Sequence, residues 1–123
     1  MKVLIVDDDR EVRTLGLLSL RRAPGWLALA AANGPEALEL ARSESPEAIL
    51  LDVQMPGMDG PQTLAALQKQ ASTCTIPVVF LTAQADDKDI ARYRQLGARG
   101  VIRKPFAPLR LPELLLAALD PER

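Results

Sequence analysis

Five short apolar runs, each followed by a segment of helical period, constrain this chain more than any other feature. Val3-Leu4-Ile5-Val6 stops at Asp7-Asp8-Asp9, Ala48 to Leu51 stops at Asp52, Val78 to Leu81 stops at Thr82, and Gly100-Val101-Ile102 leads to Lys104-Pro105. Trp26 to Ala32 is an alanine-rich fifth run. Runs this short, apolar throughout and bounded by turn residues, suit strands buried on both faces. Between them lie helical segments. From Arg10 to Arg22, Val12, Leu15 and Leu18 recur at three-residue spacing, and Pro24-Gly25 ends the helix. Asn33-Gly34-Pro35 opens a second helix through Arg42, with Ala37, Leu38 and Ala41 inward. Pro61 opens a third, to about Gln70, with Leu64 and Leu67 as its stripe. Asp86-Asp87-Lys88-Asp89 supplies acids for the start of a fourth, through Leu96, stopped by Gly97. A last helix starts near Pro112 and carries Leu111, Leu114, Leu115 and Ala118 to the C-terminus.

Strand and helix alternating with short connections imply a parallel sheet, helices on both faces and right-handed crossovers. Ligands of such open sheets bind beyond the carboxyl ends of the strands. Asp7 and Asp8, Asp52, Thr82 and Lys104 each stand at the carboxyl end of a different strand, which points to one site. Composition narrows its chemistry. The chain has no histidine, so Ser-His-Asp and Cys-His mechanisms are excluded. A single Cys74 makes neither an internal disulfide nor a cysteine zinc site and is read as inert. A net charge of -1 offers no basic surface that would make nucleic acid the main partner. The apolar runs are far too short to span a membrane, and Met1-Lys2 before a strand and three acids is no signal peptide, so a cytoplasmic location is expected. At 123 residues the expectation is one domain, 1–123.

Three carboxylates without His or Cys form an all-oxygen site suited to a hard, partly hydrated divalent cation such as Mg2+. Thr82 adds a hydroxyl and Lys104 a point charge, so a phosphoryl group fits beside the cation. Asp52 stands alone at its strand end and is the candidate nucleophile, leaving the paired acids of the first strand for the ion; the product would be an aspartyl phosphate.

The ordered set Asp7-Asp8 after the first strand, Leu51-Asp52-Val53-Gln54-Met55-Pro56-Gly57-Met58-Asp59-Gly60, Phe80-Leu81-Thr82-Ala83 and Lys104-Pro105-Phe106 resembles the receiver domains of bacterial two-component response regulators over essentially the whole chain. The resemblance implies a flavodoxin-like α/β fold, doubly wound, with five parallel strands in the order 2-1-3-4-5 and five helices. It implies that Asp52 is the phosphoacceptor, taking a phosphoryl group from a histidine kinase or a small acyl phosphate. Mg2+ would be held by the Asp8 and Asp52 side chains, the Gln54 backbone carbonyl, and Asp7 directly or through water. Thr82 and Lys104 would bind the phosphoryl oxygens and drive a switch, and the Lys104–Pro105 bond would be cis. Implied partners are a sensor histidine kinase or phosphotransfer protein, and a downstream protein or a second copy engaging the fourth and fifth helices, with no direct nucleic-acid or membrane contact. Such a domain catalyses only its own phosphorylation and dephosphorylation. No output domain follows Asp120-Pro121-Glu122-Arg123, so the expectation is a stand-alone receiver or one cut from a longer protein.

The pattern departs from the family at Val101, where many receivers carry Tyr or Phe three residues before the lysine; a switch through the loop after Thr82 and the fourth helix is the expectation instead. Gln54 and Gln84 occupy positions that tune phosphate lifetime in the family. Two other readings stay open at this point. Asp7-Asp8-Asp9 contains an Asp-x-Asp resembling the first motif of haloacid-dehalogenase-type phosphatases, which suggests a Mg2+-dependent phosphohydrolase, although Asp52 precedes both Thr82 and Lys104, against the motif order of that family. The second is an interaction module that keeps the fold without phosphorylation. Asp9 is read as a helix cap, Met55 and Met58 as loop packing, Trp26 as packing at a strand edge, and Tyr93 as core rather than partner surface.

Overall fold

The computed structural model describes residues 1–120. Strands β1 (Lys2–Val6), β2 (Leu27–Ala31), β3 (Ala48–Asp52), β4 (Val78–Thr82) and β5 (Gly100–Arg103) alternate with helices α1 (Arg10–Arg21), α2 (Gly34–Glu44), α3 (Gly60–Gln68), α4 (Asp87–Leu96) and α5 (Leu111–Leu119). All strand pairs are parallel, in the order β2-β1-β3-β4-β5, which is the flavodoxin-like arrangement expected. The alanine-rich run near Trp26 does form a strand, paired along β1 from Lys2–Leu27 to Val6–Ala31. The last helix ends at Leu119 with Asp120 as its C-terminal cap residue; its expected extension over 121–123 lies outside the described residues.

Side-chain alternation along the strands divides the core into two layers. Leu4, Val6, Ile49, Leu51 and Phe80 pack with Ala37, Ala41, Leu64, Leu67 and Tyr93 of α2, α3 and α4. Val3, Ile5, Leu50, Val79, Leu81 and Ile102 pack with Leu20, Leu111 and Leu115 of α1 and α5. The inward residues expected for α2, α3 and α5 lie at these faces, Leu38, Leu114 and Ala118 only partly buried. Helix α1 differs. Its buried residues are Gly16, Ser19 and Leu20, whereas Leu15 is 43% and Leu18 60% exposed. The cause is close packing: a Cβ at Gly16 would stand against the Ile5 side chain, so the helix lies down on its glycine. Ser19 then has a second use, because its buried Oγ accepts the Leu111 backbone N–H at 3.2 Å. Arg110, the N-cap residue of α5, provides no side-chain cap, and α1 satisfies that helix end instead.

Two loop features hold the carboxyl edge of the sheet in shape. Asp59 caps α3 in a reciprocal capping box with Gln62, and Gly60 donates its N–H to the Val53 carbonyl at 2.9 Å. The loop after β3 therefore folds back onto its own strand. A Cβ at Gly60 would lie 2.5 Å from the Asp52 carbonyl oxygen and 2.8 Å from the Val53 Cα, both backbone atoms that cannot swing aside. Gly60→Ala is expected to lose about 1–3 kcal/mol of stability in urea denaturation. An unchanged midpoint would mean that the backbone at Asp52 withdraws without cost.

Candidate functional site

Strand parity decides which polar groups meet. Asp7 continues the ladder of β1 one residue further, its N–H bonded to the Ala31 carbonyl at 3.1 Å, and shares a face with Val3 and Ile5. Asp52 shares the face of Leu50, and Lys104, held by its N–H to the Thr82 carbonyl at 2.8 Å, shares that of Ile102. All three side chains therefore leave the sheet on the α1/α5 side, at the carboxyl ends of β1, β3 and β5. There the Lys104 Nζ donates to Asp7 Oδ2 at 3.0 Å and to Asp52 Oδ1 at 3.1 Å. Asp7 is fully buried and Asp52 nearly so, while Lys104 reaches partly to solvent. The other oxygen of Asp7 accepts the Asp9 N–H at 2.9 Å, and the Arg13 guanidinium donates to the Asp7 backbone carbonyl at 2.8 Å. Asp8 is exposed at the rim.

Burial is the main influence on Asp52. It raises the carboxyl from 3.8 to about 6, and the neighbouring Asp7 charge pushes the same way; Lys104 and a backbone hydrogen bond from Gln54 pull against them. Burial also opposes the charge on Lys104. The hydrogen bond to Asp7 and the fields of Asp7 and Asp52 outweigh it, so the ammonium is held above its ordinary value. Oxygens of Asp7, Asp8 and Asp52 lie within 4.8 Å of one another. Three carboxylates and one ammonium leave two negative charges uncompensated, on oxygen donors alone, beside a cavity of about 390 Å³ that Gln54 and Thr82 also line. That donor set and charge match a hard divalent cation that retains part of its water shell.

Thr82 sits apart in one respect. Its parity is that of Phe80, and its hydroxyl donates to the Gln84 carbonyl at 2.8 Å and accepts the Gln84 N–H at 3.2 Å. The residue lines the cavity, but its hydroxyl bonds only to its own loop. Asp9 accepts the Glu11 N–H at 2.8 Å as the N-cap of α1, as expected. The Lys104–Pro105 bond is cis. Met55 is buried in the core layer of α2, α3 and α4, and Trp26 is partly buried against the opposite layer of α1 and α5. Tyr93 is buried edge-on against Phe80, with ring centroids 5.0 Å apart, and Val101 packs partly buried on the same cluster. Three contributors escaped the sequence reading: Arg13, Gly60 and the Asp9 N–H. Gly60 alone carried a signal, as the glycine closing the Asp52 loop.

Residues 3–116 match the model of the response regulator receiver domain. The chain is 36% identical over 107 residues to the alkaline phosphatase synthesis transcriptional regulatory protein PhoP of Bacillus subtilis, covering 87% of this chain and 43% of that one. It is 36% identical over 118 residues to Protein PilH of Pseudomonas aeruginosa, covering 96% of this chain and 97% of that protein. Among solved structures, chemotaxis protein CheY4 of Vibrio cholerae superposes with a TM-score of 0.87 at 33% identity, over 96% of this chain and 98% of that one. The chain spans about half the length or less of the transcriptional regulators it matches. With its strand order, its acid cluster and these likenesses, the chain belongs to the response regulator receiver domain family.

Proposed function

We propose that Asp52 is the phosphoacceptor of this receiver and that its carboxylate is phosphorylated by a phosphohistidine of a sensor kinase or phosphotransfer protein, or by a small acyl phosphate. The observation that carries this reading is the nearly buried Asp52 carboxylate with one oxygen on Lys104 and the other not engaged by any side chain among the described residues. That second oxygen attacks phosphorus as the bond to the imidazole nitrogen or acyl oxygen breaks, leaving an acyl phosphate on Asp52 and the donor as leaving group. Lys104 then has a phosphoryl oxygen to hold as well as Asp7, and Thr82 exchanges its Gln84 partner for another. Asp7, Asp8, Asp52 and the Gln54 carbonyl would hold Mg2+, which supplies positive charge against the crowded anions when bound. Attack by water on the same phosphorus returns the carboxylate, so the chain's chemistry is confined to its own phosphorylation and loss of phosphate. Residues 1–123 act on this reading as one receiver domain, in the cytoplasm, passing the signal to a downstream protein or a second copy through α4 and α5. No helix among the described residues is long and apolar enough to cross a membrane.

The phosphohydrolase reading is dropped. Family membership stands against it, and Asp9, the second acid that its Asp-x-Asp requires, is engaged in capping α1. An interaction module without phosphorylation is disfavoured by the cation-matched charge of the acid cluster, which such a module does not need.

Incubation with acetyl phosphate and Mg2+ is expected to add one hydroxylamine-labile phosphate by intact mass to the wild type and none to Asp52→Asn; labelling of the variant would move the acceptor elsewhere. The raised Asp52 value gives a second test. A carboxyl whose folded value of about 6 exceeds its ordinary 3.8 takes up a proton on folding, so its contribution favours the fold below about pH 4 and is lost as pH rises through about 6. In metal-free solution at pH 7.5, Asp52→Asn is therefore expected to be more stable than wild type, by about 3 kcal/mol, in urea denaturation. Mg2+ should close that gap by stabilising the wild type more. A variant less stable than wild type without metal would contradict the charge assignment. Thr82→Ala should leave labelling by acetyl phosphate in place but speed amide exchange at Gln84, whose N–H the hydroxyl now accepts; unchanged exchange would mean that this bond does not order the loop.

A further inference from the structure

The ladder between β1 and β2 stops one rung short at the acid cluster. Leu27 donates its N–H to the Met1 carbonyl, and the parallel pairing keeps register to Val6 and Ala31, with the Asp7 N–H on the Ala31 carbonyl at 3.1 Å. One rung further, the same pattern would set the Asn33 N–H on the Asp7 carbonyl. Asn33 has left the strand by then. It is the N-cap of α2, its side chain accepting the Glu36 N–H at 2.8 Å. The Arg13 guanidinium supplies the donor instead, 2.8 Å from the Asp7 carbonyl oxygen in a partly buried contact. Among the described residues, that guanidinium has no carboxylate within ion-pair distance.

We infer that Arg13 is the positioning residue for Asp8, keeping that carboxylate turned toward the divalent cation that Asp7, Asp8 and Asp52 are proposed to hold. The inference rests on that proposed metal set. Asp7 and Asp52 are each fixed by a hydrogen bond from Lys104. Asp8 is exposed, and among the described residues its carboxylate makes no hydrogen bond or ion pair, so its place beside the other two is set by its backbone. Planar peptides leave only the φ and ψ of Asp8 to vary. Both flanking planes are tied down. Arg13 holds the oxygen of the peptide before Asp8, and Asp7 Oδ1 accepts the N–H of the peptide after it at 2.9 Å. Without Arg13 one tie remains, and the carboxylate is no longer confined to the cation side. Because Arg13 donates to a carbonyl rather than to a carboxylate, it steadies the cluster without occupying oxygens that a cation needs, in contrast to Lys104. Charge and position then act in opposite directions. Removing a positive group beside an excess of negative charge favours a bound cation by electrostatics alone, whereas releasing Asp8 weakens it.

The test measures Mn2+ binding to the intact chain by electron paramagnetic resonance, with Mg2+ as competitor, beside urea denaturation of each variant. Arg13→Met, which removes donor and charge together, is expected to bind Mg2+ about tenfold more weakly than wild type. Asp8→Ala should also weaken binding. Adding Arg13→Met to Asp8→Ala should then cost less than about a further twofold, because Arg13 acts through Asp8. If Arg13→Met does not fold, Arg13→Gln, shorter and uncharged, is expected to weaken Mg2+ binding in its place. Binding that is unchanged or tighter in the Arg13 variants would overturn the inference and leave the metal set standing, even if the urea midpoint falls, since Arg13 would then serve the fold alone. A further loss of about tenfold in the double variant would also overturn it. Wild type that binds neither ion would overturn the inference and the metal set together.

Discussion

One ammonium group shared between two buried carboxylates is the interaction on which the rest of this structure depends. Asp7 and Asp52 end neighbouring strands and would repel each other in a site from which most water is excluded; the Lys104 Nζ within 3.1 Å of both makes the pair tolerable. That bridge exists only if β1, β3 and β5 end at one level and with one parity. Residues ninety-seven apart in the chain meet there, Asp7 with Lys104, so the bridge needs β1, β3, β4 and β5 side by side. The Gly60 contact with the Asp52 carbonyl, the Arg13 bond to Asp7 and the cap at Asp9 all brace this one edge. The opposite, amino-terminal edge shows no comparable grouping of buried charge among the described residues.

Much of this was legible from residue order alone. Apolar runs that stop at Asp, Asp, Thr and Lys give the strand ends directly, because a buried strand cannot carry such groups in its middle, and alternation with helices gives parallel pairing. What stayed hidden was orientation. Three-residue spacing at Val12, Leu15 and Leu18 identifies a helix, yet the buried face is set by how closely α1 approaches Ile5, a tertiary fact that only Gly16 hints at. Counting residues along each strand would have placed Asp7, Asp52 and Lys104 on one face and Thr82 on the other; treating all five polar residues as equivalent strand-end groups concealed it. The cap that Ser19 provides to α5 bridges ninety-two positions, and no local pattern announces it.

The molecule keeps its charges in separate places. Acids gather at the strand ends, where burial and mutual repulsion leave them short of positive charge, and arginines gather along the β5 edge, where solvent screens them. Lys104 and Arg103 are sequence neighbours on opposite sides of this divide. One offsets part of the charge of the acid cluster, and the other reaches to the loop beyond Thr82. Val101, two residues earlier, packs toward Phe80 and Tyr93 without a ring of its own.

The Thr82 hydroxyl closes a small ring with Gln84, donating to its carbonyl and accepting its N–H. A net hydrogen bond of this kind is worth about 1 kcal/mol. On the reading proposed for this site, that bond is the idle position of the hydroxyl, and any group that recruits it must first break the ring. On that same reading, how readily the hydroxyl is recruited depends on its bond to the carbonyl two residues away.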